Sequence, residues 1–114
     1  MDALQMTLLF DYYGELLTER QSMCFDLRHN QDLSLAEIAQ ELHVSRQGVY
    51  DNLSRAEALL VNMEEKTGCV RRDLQCRKAA RQITGLAAKL AEHDDQKVSH
   101  LAGQILAAAR ELEE

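Results

Sequence analysis

Six polar residues, Arg46, Gln47, Tyr50, Asp51, Ser54 and Arg55, recur as adjacent pairs four positions apart. On a helix turning ~100° per residue, with Val49 at the centre of the buried side, Gln47, Tyr50, Asp51 and Ser54 point away from the core and Arg46 and Arg55 flank them. Such a set has the chemistry of a nucleic-acid contact. Glutamine fits an adenine edge, arginine a guanine or a phosphate, and the tyrosine and serine hydroxyls a phosphate or sugar. Asp51 runs against this, because a carboxylate repels phosphates. It either accepts from a cytosine amino group or pairs with Arg55 at i, i+4 in the favourable order, a pair worth ~0.3–0.5 kcal/mol. Tyr50 also has a second reading, with its ring laid over apolar neighbours and its hydroxyl wet. Further on, Arg71, Arg72, Arg77, Lys78 and Arg81 cluster around a single acid, Asp73. This basic run is either a second contact surface or a solvated helix face.

Two helices joined by a short turn must position the first set. Ser34 with Glu37 three residues on is a capping box, so a helix opens there, and Leu35, Ile38, Ala39 and Leu42 give it one apolar face. His43-Val44 makes the turn, histidine standing where a left-handed backbone usually selects glycine. Ser45 caps a second helix whose apolar stripe is Val49, Leu53, Ala56, Leu60 and Met63, ending at Lys66 with Gly68 just beyond. That is the pattern of a helix-turn-helix over residues 34–66. Upstream, Asp2 or Thr7 opens a helix that places Met6, Leu9, Phe10, Tyr13 and Leu17 inward. Thr18 and Gln21 form another capping box, for a helix running to about His29 with Met23, Cys24, Leu27 and Phe25 on its inner side.

The rest of the chain bounds the possibilities. With 114 residues, no proline and 46% hydrophobic content, it is read as all-α, with a helical domain over 1–68 and a helical extension over 69–114. In the extension Cys69, Cys76, Ile83 and Leu90 recur every seven residues beside Ala79, Leu86, Ala80 and Ala87, and Val98, Leu101, Ile105, Ala108 and Leu112 repeat the device. An antiparallel hairpin or one bent helix follows, its seam either packed internally, with Cys76 buried, or forming a homodimer contact. No apolar run reaches the ~20 residues needed to cross a bilayer, so no membrane insertion and a cytoplasmic location are expected. The cysteines and histidines lack metal-ligand spacing, and there is no nucleophile with a nearby base motif, no phosphate-cradling glycine loop and no ligand cluster, so the expectation is no enzyme and no cofactor. Net charge is −6, a disadvantage for binding phosphates, but it is uneven: twelve acids and five bases precede Cys69, and eight bases and seven acids follow.

The stretches LLFDYYGELLTERQ (8–21), DLSLAEIAQELHVSRQGVYDNLSRAEALL (32–60) and MEEK (63–66) resemble the YlxM family of small helix-turn-helix proteins of Gram-positive bacteria. The module is also similar, over a shorter span, to region four of RNA polymerase sigma factors, within the winged-helix-like DNA-binding class. Gly48 and Met63 stand where that family tends to have alanine and tyrosine. The resemblance implies a part in, or regulation of, the signal recognition particle pathway, with nucleic acid (DNA or the particle's RNA) bound through the helix-turn-helix. The particle's GTPase protein is a further partner it suggests. Two other readings stay open: a sequence-specific transcription regulator binding duplex DNA as a dimer, and a protein-interaction adaptor.

Overall fold

Side-chain caps set where most of these helices begin. The computed structural model describes residues 2–113. The carboxylate of Asp2 accepts from the backbone N–H of Gln5, Thr18 from that of Gln21, Ser34 from Glu37 and Ser45 from Gly48. They open α1 (Ala3–Tyr13), α2 (Glu19–Phe25), α3 (Leu35–Leu42) and α4 (Arg46–Thr67). The first three are complete capping boxes, each third residue's side chain returning to the N–H of the cap. Two more helices follow, α5 (Cys69–Leu90) and α6 (Gln96–Glu111), the latter capped by Asp95. Among the described residues there is no strand, and the fold is all-α with a helix-turn-helix.

The chain divides into two compact units between Val70 and Arg71. In the first, α4 is the central element, and α1, α2 and α3 all pack on it. Its buried stripe is Val49, Leu53, Ala56 and Leu60, which meets Leu9, Tyr13, Phe25 and Ile38 in one apolar cluster. Phe25 stacks between Phe10 at 4.6 Å and His29 at 4.2 Å. Removing such a residue leaves a cavity that neighbours fill only partly, which is why Leu→Ala changes in cores cost ~2–5 kcal/mol.

Two expectations for α2 are corrected. Met23 is exposed, whereas Cys24 and Phe25 are fully buried. The α-helix also stops at Phe25, and the turn Asp26–Asn30 widens into a π-helix, with the Gln31 N–H bonding the Asp26 carbonyl at 3.2 Å. Asp26 holds the widened turn from outside, accepting from Asn30 Nδ2 at 2.8 Å and Gln31 Nε2 at 3.0 Å. The widening carries His29 onto Phe25 and within 2.8 Å of Glu57 on α4.

In the second unit α5 and α6 form an antiparallel hairpin. Ser99 Oγ donates to the Ala91 carbonyl at 2.9 Å beside the turn, and Thr84 Oγ1 to Glu113 at 3.2 Å near the other end. Its buried residues are Ala80, Ala87, Ala102 and Ala109, seven apart on each helix. The period of seven is as expected, but the residues that use it are not. Cys76 is exposed rather than buried, as is Cys69, and Ile83, Leu86, Leu90, Leu101, Ile105 and Leu112 are all exposed. The small alanines are the residues this hairpin buries, and the larger apolar side chains of the same repeat stay in water.

Candidate nucleic-acid interface

The turn that aims α4 is held from three sides. His43 adopts the left-handed conformation at φ 56°, ψ 45°, ending α3. The N–H groups of His43 and Val44 both reach the carbonyl of Ala39, the second at 3.0 Å. Arg20 of α2 adds an Nη1 donor 3.4 Å from the Leu42 carbonyl, one of the acceptors left open at the end of α3. At the other end of α3, Glu37 accepts from the N–H of Ser34, and the Ser34 bonds hold its carboxyl below the ordinary value of 4.5. The helix-turn-helix is therefore fixed by backbone and cap bonds as well as by its core.

Arg46, Gln47, Tyr50, Asp51, Ser54 and Arg55 are all exposed along the first three turns of α4, with Gln47, Tyr50, Asp51 and Ser54 turned away from Val49 and the two arginines flanking them. At 1.5 Å per residue the two arginines stand about 13.5 Å apart along the axis. Among the described residues neither side chain has a hydrogen bond or ion pair, and the same holds for the side chains of Tyr50 and Ser54. Tyr50 is 55% exposed. Asp51 does not pair with Arg55. It accepts from Gln47 Nε2 at 3.0 Å, one turn in the other direction, which ties up one glutamine N–H and leaves both arginines available. No acid occupies the first turn of α4, so Arg46 adds its charge to the positive end of the helix dipole.

The basic run is on a different helix and in the other unit. Arg71, Arg72, Arg77 and Lys78 are exposed on α5, with Arg77 paired to Asp73 at 3.3 Å one turn away. Beside the far end of the α4 face is an open groove of about 670 Å³ lined by Ala3, Met6, Ser54, Ala58 and Val61. His29, Glu57 and Glu65 also line it, and no lysine or arginine does. No cluster of three or more His, Cys, Asp or Glu side chains able to hold a metal ion occurs among the described residues, and no described helix is long and apolar enough to cross a membrane.

One arrangement escaped the sequence reading. Tyr13 sits in the apolar stripe of α1, yet its hydroxyl meets Glu64 Oε1 and Thr67 Oγ1, both at 2.7 Å. The carboxylate can only accept and tyrosine has one proton, so Tyr13 donates to Glu64 and Thr67 donates to Tyr13. Glu64 Oε1 also takes the N–H of Val70 at 3.0 Å, and Thr67 Oγ1 that of Cys69 at 3.3 Å. These side chains thus satisfy the first donors of α5 across Gly68, whose left-handed φ of 62° separates α4 from α5. Burial, together with the nearby Glu64 carboxylate, raises the Tyr13 hydroxyl above its ordinary 10.0, although the Thr67 bond opposes the rise.

A capped helix-turn-helix with a cation-flanked, solvent-facing second helix defines a small all-helical protein of the helix-turn-helix class. The model of a family described as "Putative helix-turn-helix protein, YlxM / p13 like" matches residues 1–100, and the chain belongs to that family. Among its relatives is a UPF0122 protein of Acetivibrio thermocellus, 52% identical over 79 residues, covering 69% of this chain and 68% of that protein. One from Thermoanaerobacter sp. is 54% identical over 71 residues, 62% of this chain and 61% of its own length. A third, from Desulforamulus reducens, is 48% identical over 82 residues, with shares of 72% and 70%.

Proposed function

We propose that this protein is a non-enzymatic accessory or regulatory protein of the signal recognition particle pathway that binds nucleic acid through the exposed face of α4. The observation that carries the reading is the pair Arg46 and Arg55, exposed and uncommitted at the two ends of that face. Nine residues apart, they lie about 13.5 Å from each other along the axis and on opposite flanks of the helix, so that a helix about 10–12 Å across, lying in a B-form major groove ~12 Å wide, turns one toward each wall. Each arginine then lies near one phosphate wall while Gln47, Tyr50, Asp51 and Ser54 lie between them. Arg71, Arg72, Arg77 and Lys78 supply a second phosphate contact in this reading. The affinity comes from few cations, because the residues before Cys69 carry twelve acids against five bases.

The test is a titration of the full chain against the particle's RNA, duplex DNA and the particle's GTPase protein, each at two salt concentrations. Binding to nucleic acid should weaken as salt rises, and Arg46→Ala and Arg55→Ala should each lower the slope of log affinity against log salt by about one. Asp51→Asn should strengthen the same complex, since it removes a negative charge facing phosphates at constant shape. Selective binding to duplex DNA would favour the transcription-regulator reading. Binding only to the GTPase protein, weakened by Asp51→Asn, would replace the nucleic-acid reading with that of an adaptor.

A further inference from the structure

We infer that the exposed face of α4 recognises an unpaired guanine, with the Asp51 carboxylate accepting from the N1–H and N2–H donors of the base and the Tyr50 ring stacked on it. This rests on the reading that the face binds nucleic acid, and it names the part of that ligand which Asp51 meets. The ground is the one residue of the face that phosphates repel. Asp51 is exposed and has Arg55 one turn away, yet it accepts from Gln47 Nε2 at 3.0 Å instead. A carboxylate has about four acceptor positions on its two oxygens, and the glutamine N–H occupies one of them. The rest face water as two adjacent acceptors oriented by Gln47, and among the described residues no cation is paired with them.

Base chemistry selects the ligand. Two adjacent acceptors are matched by two adjacent donors, and guanine alone among the bases carries these on its pairing edge, at N1 and N2; adenine, cytosine and uracil each set a donor beside an acceptor there. In a base pair the guanine donors are taken by cytosine, and the major groove shows a single donor, on N4 of cytosine or N6 of adenine, which leaves one carboxylate oxygen unmet. The guanine is therefore unpaired, as in a loop or bulge, where side chains reach the pairing edge. Two parallel N–H groups on the two oxygens of a carboxylate repeat the fork that arginine makes with the same group, and the ionised acceptor strengthens both bonds. The second N–H of Gln47 is left for O6, the guanine acceptor next to N1.

Position and charge agree with this. Gln47 has Tyr50 three residues on and Asp51 four residues on, so both are its neighbours on the helix surface, and the ring lies beside the two acceptors. Tyr50 is 55% exposed and its hydroxyl has no partner among the described residues, which leaves the ring open for a base to stack. Arg46 and Arg55, on opposite flanks, take the phosphates on either side of that base, where their charge offsets the repulsion between Asp51 and the strand. A residue that opposes phosphates thereby becomes the one that specifies the base.

Titration of the full chain with RNA hairpins that share a stem and differ at one loop position tests this. Against a loop of adenines, a loop with a single guanine should bind about 5–150-fold tighter, the range of one good bidentate contact. Inosine, which lacks the N2 amino group, should lose most of that preference, and 7-deazaguanine, altered only on its N7 edge, should keep it. Asp51→Asn puts a donor in place of one acceptor and should bring the guanine-to-adenine ratio to about one. The ratio is the quantity to read, because removing the charge strengthens binding of every strand alike. Tyr50→Ala should weaken both loops several-fold where Tyr50→Phe does not. The same loops made of DNA distinguish the sugar: a guanine preference in either supports the inference, and the tighter of the two identifies the strand. Salt-sensitive binding that needs Arg46 and Arg55 but treats guanine, inosine and adenine alike would overturn the inference and leave the nucleic-acid reading standing, whereas no binding to any strand would remove both. Tighter binding to a duplex that holds the same guanine in a base pair would also overturn it.

Discussion

Gly48 is the third residue of α4, in the first turn of the helix that carries Arg46 and Gln47, and Gly48→Ala should stabilise the protein. A glycine inside a helix costs ~1 kcal/mol relative to alanine, in part because the unfolded chain has more freedom to lose. Opposing this gain, a Cβ at Gly48 would stand 3.1 Å from Ser45 Oγ, the oxygen that caps the helix. If the cap were lost outright, ~1 kcal/mol would go with it and the two effects would cancel. The same chain shows how far the cap must give. Gln21 and Glu37 occupy the equivalent position with full side chains, and their N–H bonds to Thr18 and Ser34 measure 3.2 and 3.1 Å, against 3.0 Å at Gly48. A lengthening of that size keeps the hydrogen bond, so the net gain should be about 0.5–1 kcal/mol, and each kcal/mol corresponds to a melting-temperature rise of roughly 4–8 °C for a unit this small. Thermal and urea denaturation followed by circular dichroism measure it, with an unchanged urea slope as the sign that only stability has moved. A variant no more stable than the wild type would show that the Ser45 cap cannot yield. Repeating Gly48→Ala in a Ser45→Ala background would then recover the missing gain.

Two further outcomes follow from the hydrogen-bonded junction and the thiols. Tyr13→Phe should destabilise by ~1.5–3 kcal/mol, because it takes a donor from the partly buried Glu64 carboxylate, and urea denaturation reads it directly. The folded state holds the Tyr13 proton more tightly than the unfolded chain, so this contribution is complete below pH 10.0 and is lost as pH rises through the higher folded value; Tyr13→Phe should flatten that alkaline loss. With a thiol reagent at pH ~8, Cys69 and Cys76, both exposed, should react at once. Cys24 is fully buried, and burial raises its thiol despite Arg20 nearby, so it should react only as fast as the protein opens; three fast thiols would contradict the packing of α2.

What could be read from the residues alone was whatever is local and periodic. The Thr18 and Ser34 boxes, the Ser45 cap, the left-handed His43 and the Val49 to Leu60 stripe each depend on neighbours within a turn or two, and each is present. Choices between equally spaced partners were not legible. Asp51 has Gln47 four residues before it and Arg55 four after, and side-chain torsions decide for Gln47, which is why Arg55 remains uncommitted. Contacts distant in sequence were hidden as well: Tyr13 and Glu64 are 51 positions apart, and a tyrosine in an apolar stripe is indistinguishable by periodicity from one that is merely core. The π-turn at Asp26 depends on two side-chain amides bonding one carboxylate, which no hydrophobic pattern encodes. In the hairpin the heptad was visible but its use was not. A repeat of seven says which residues share a face and is silent about what the face meets; Ala80 with Ala87 and Ile83 with Leu90 obey the same period, and only the first pair is buried.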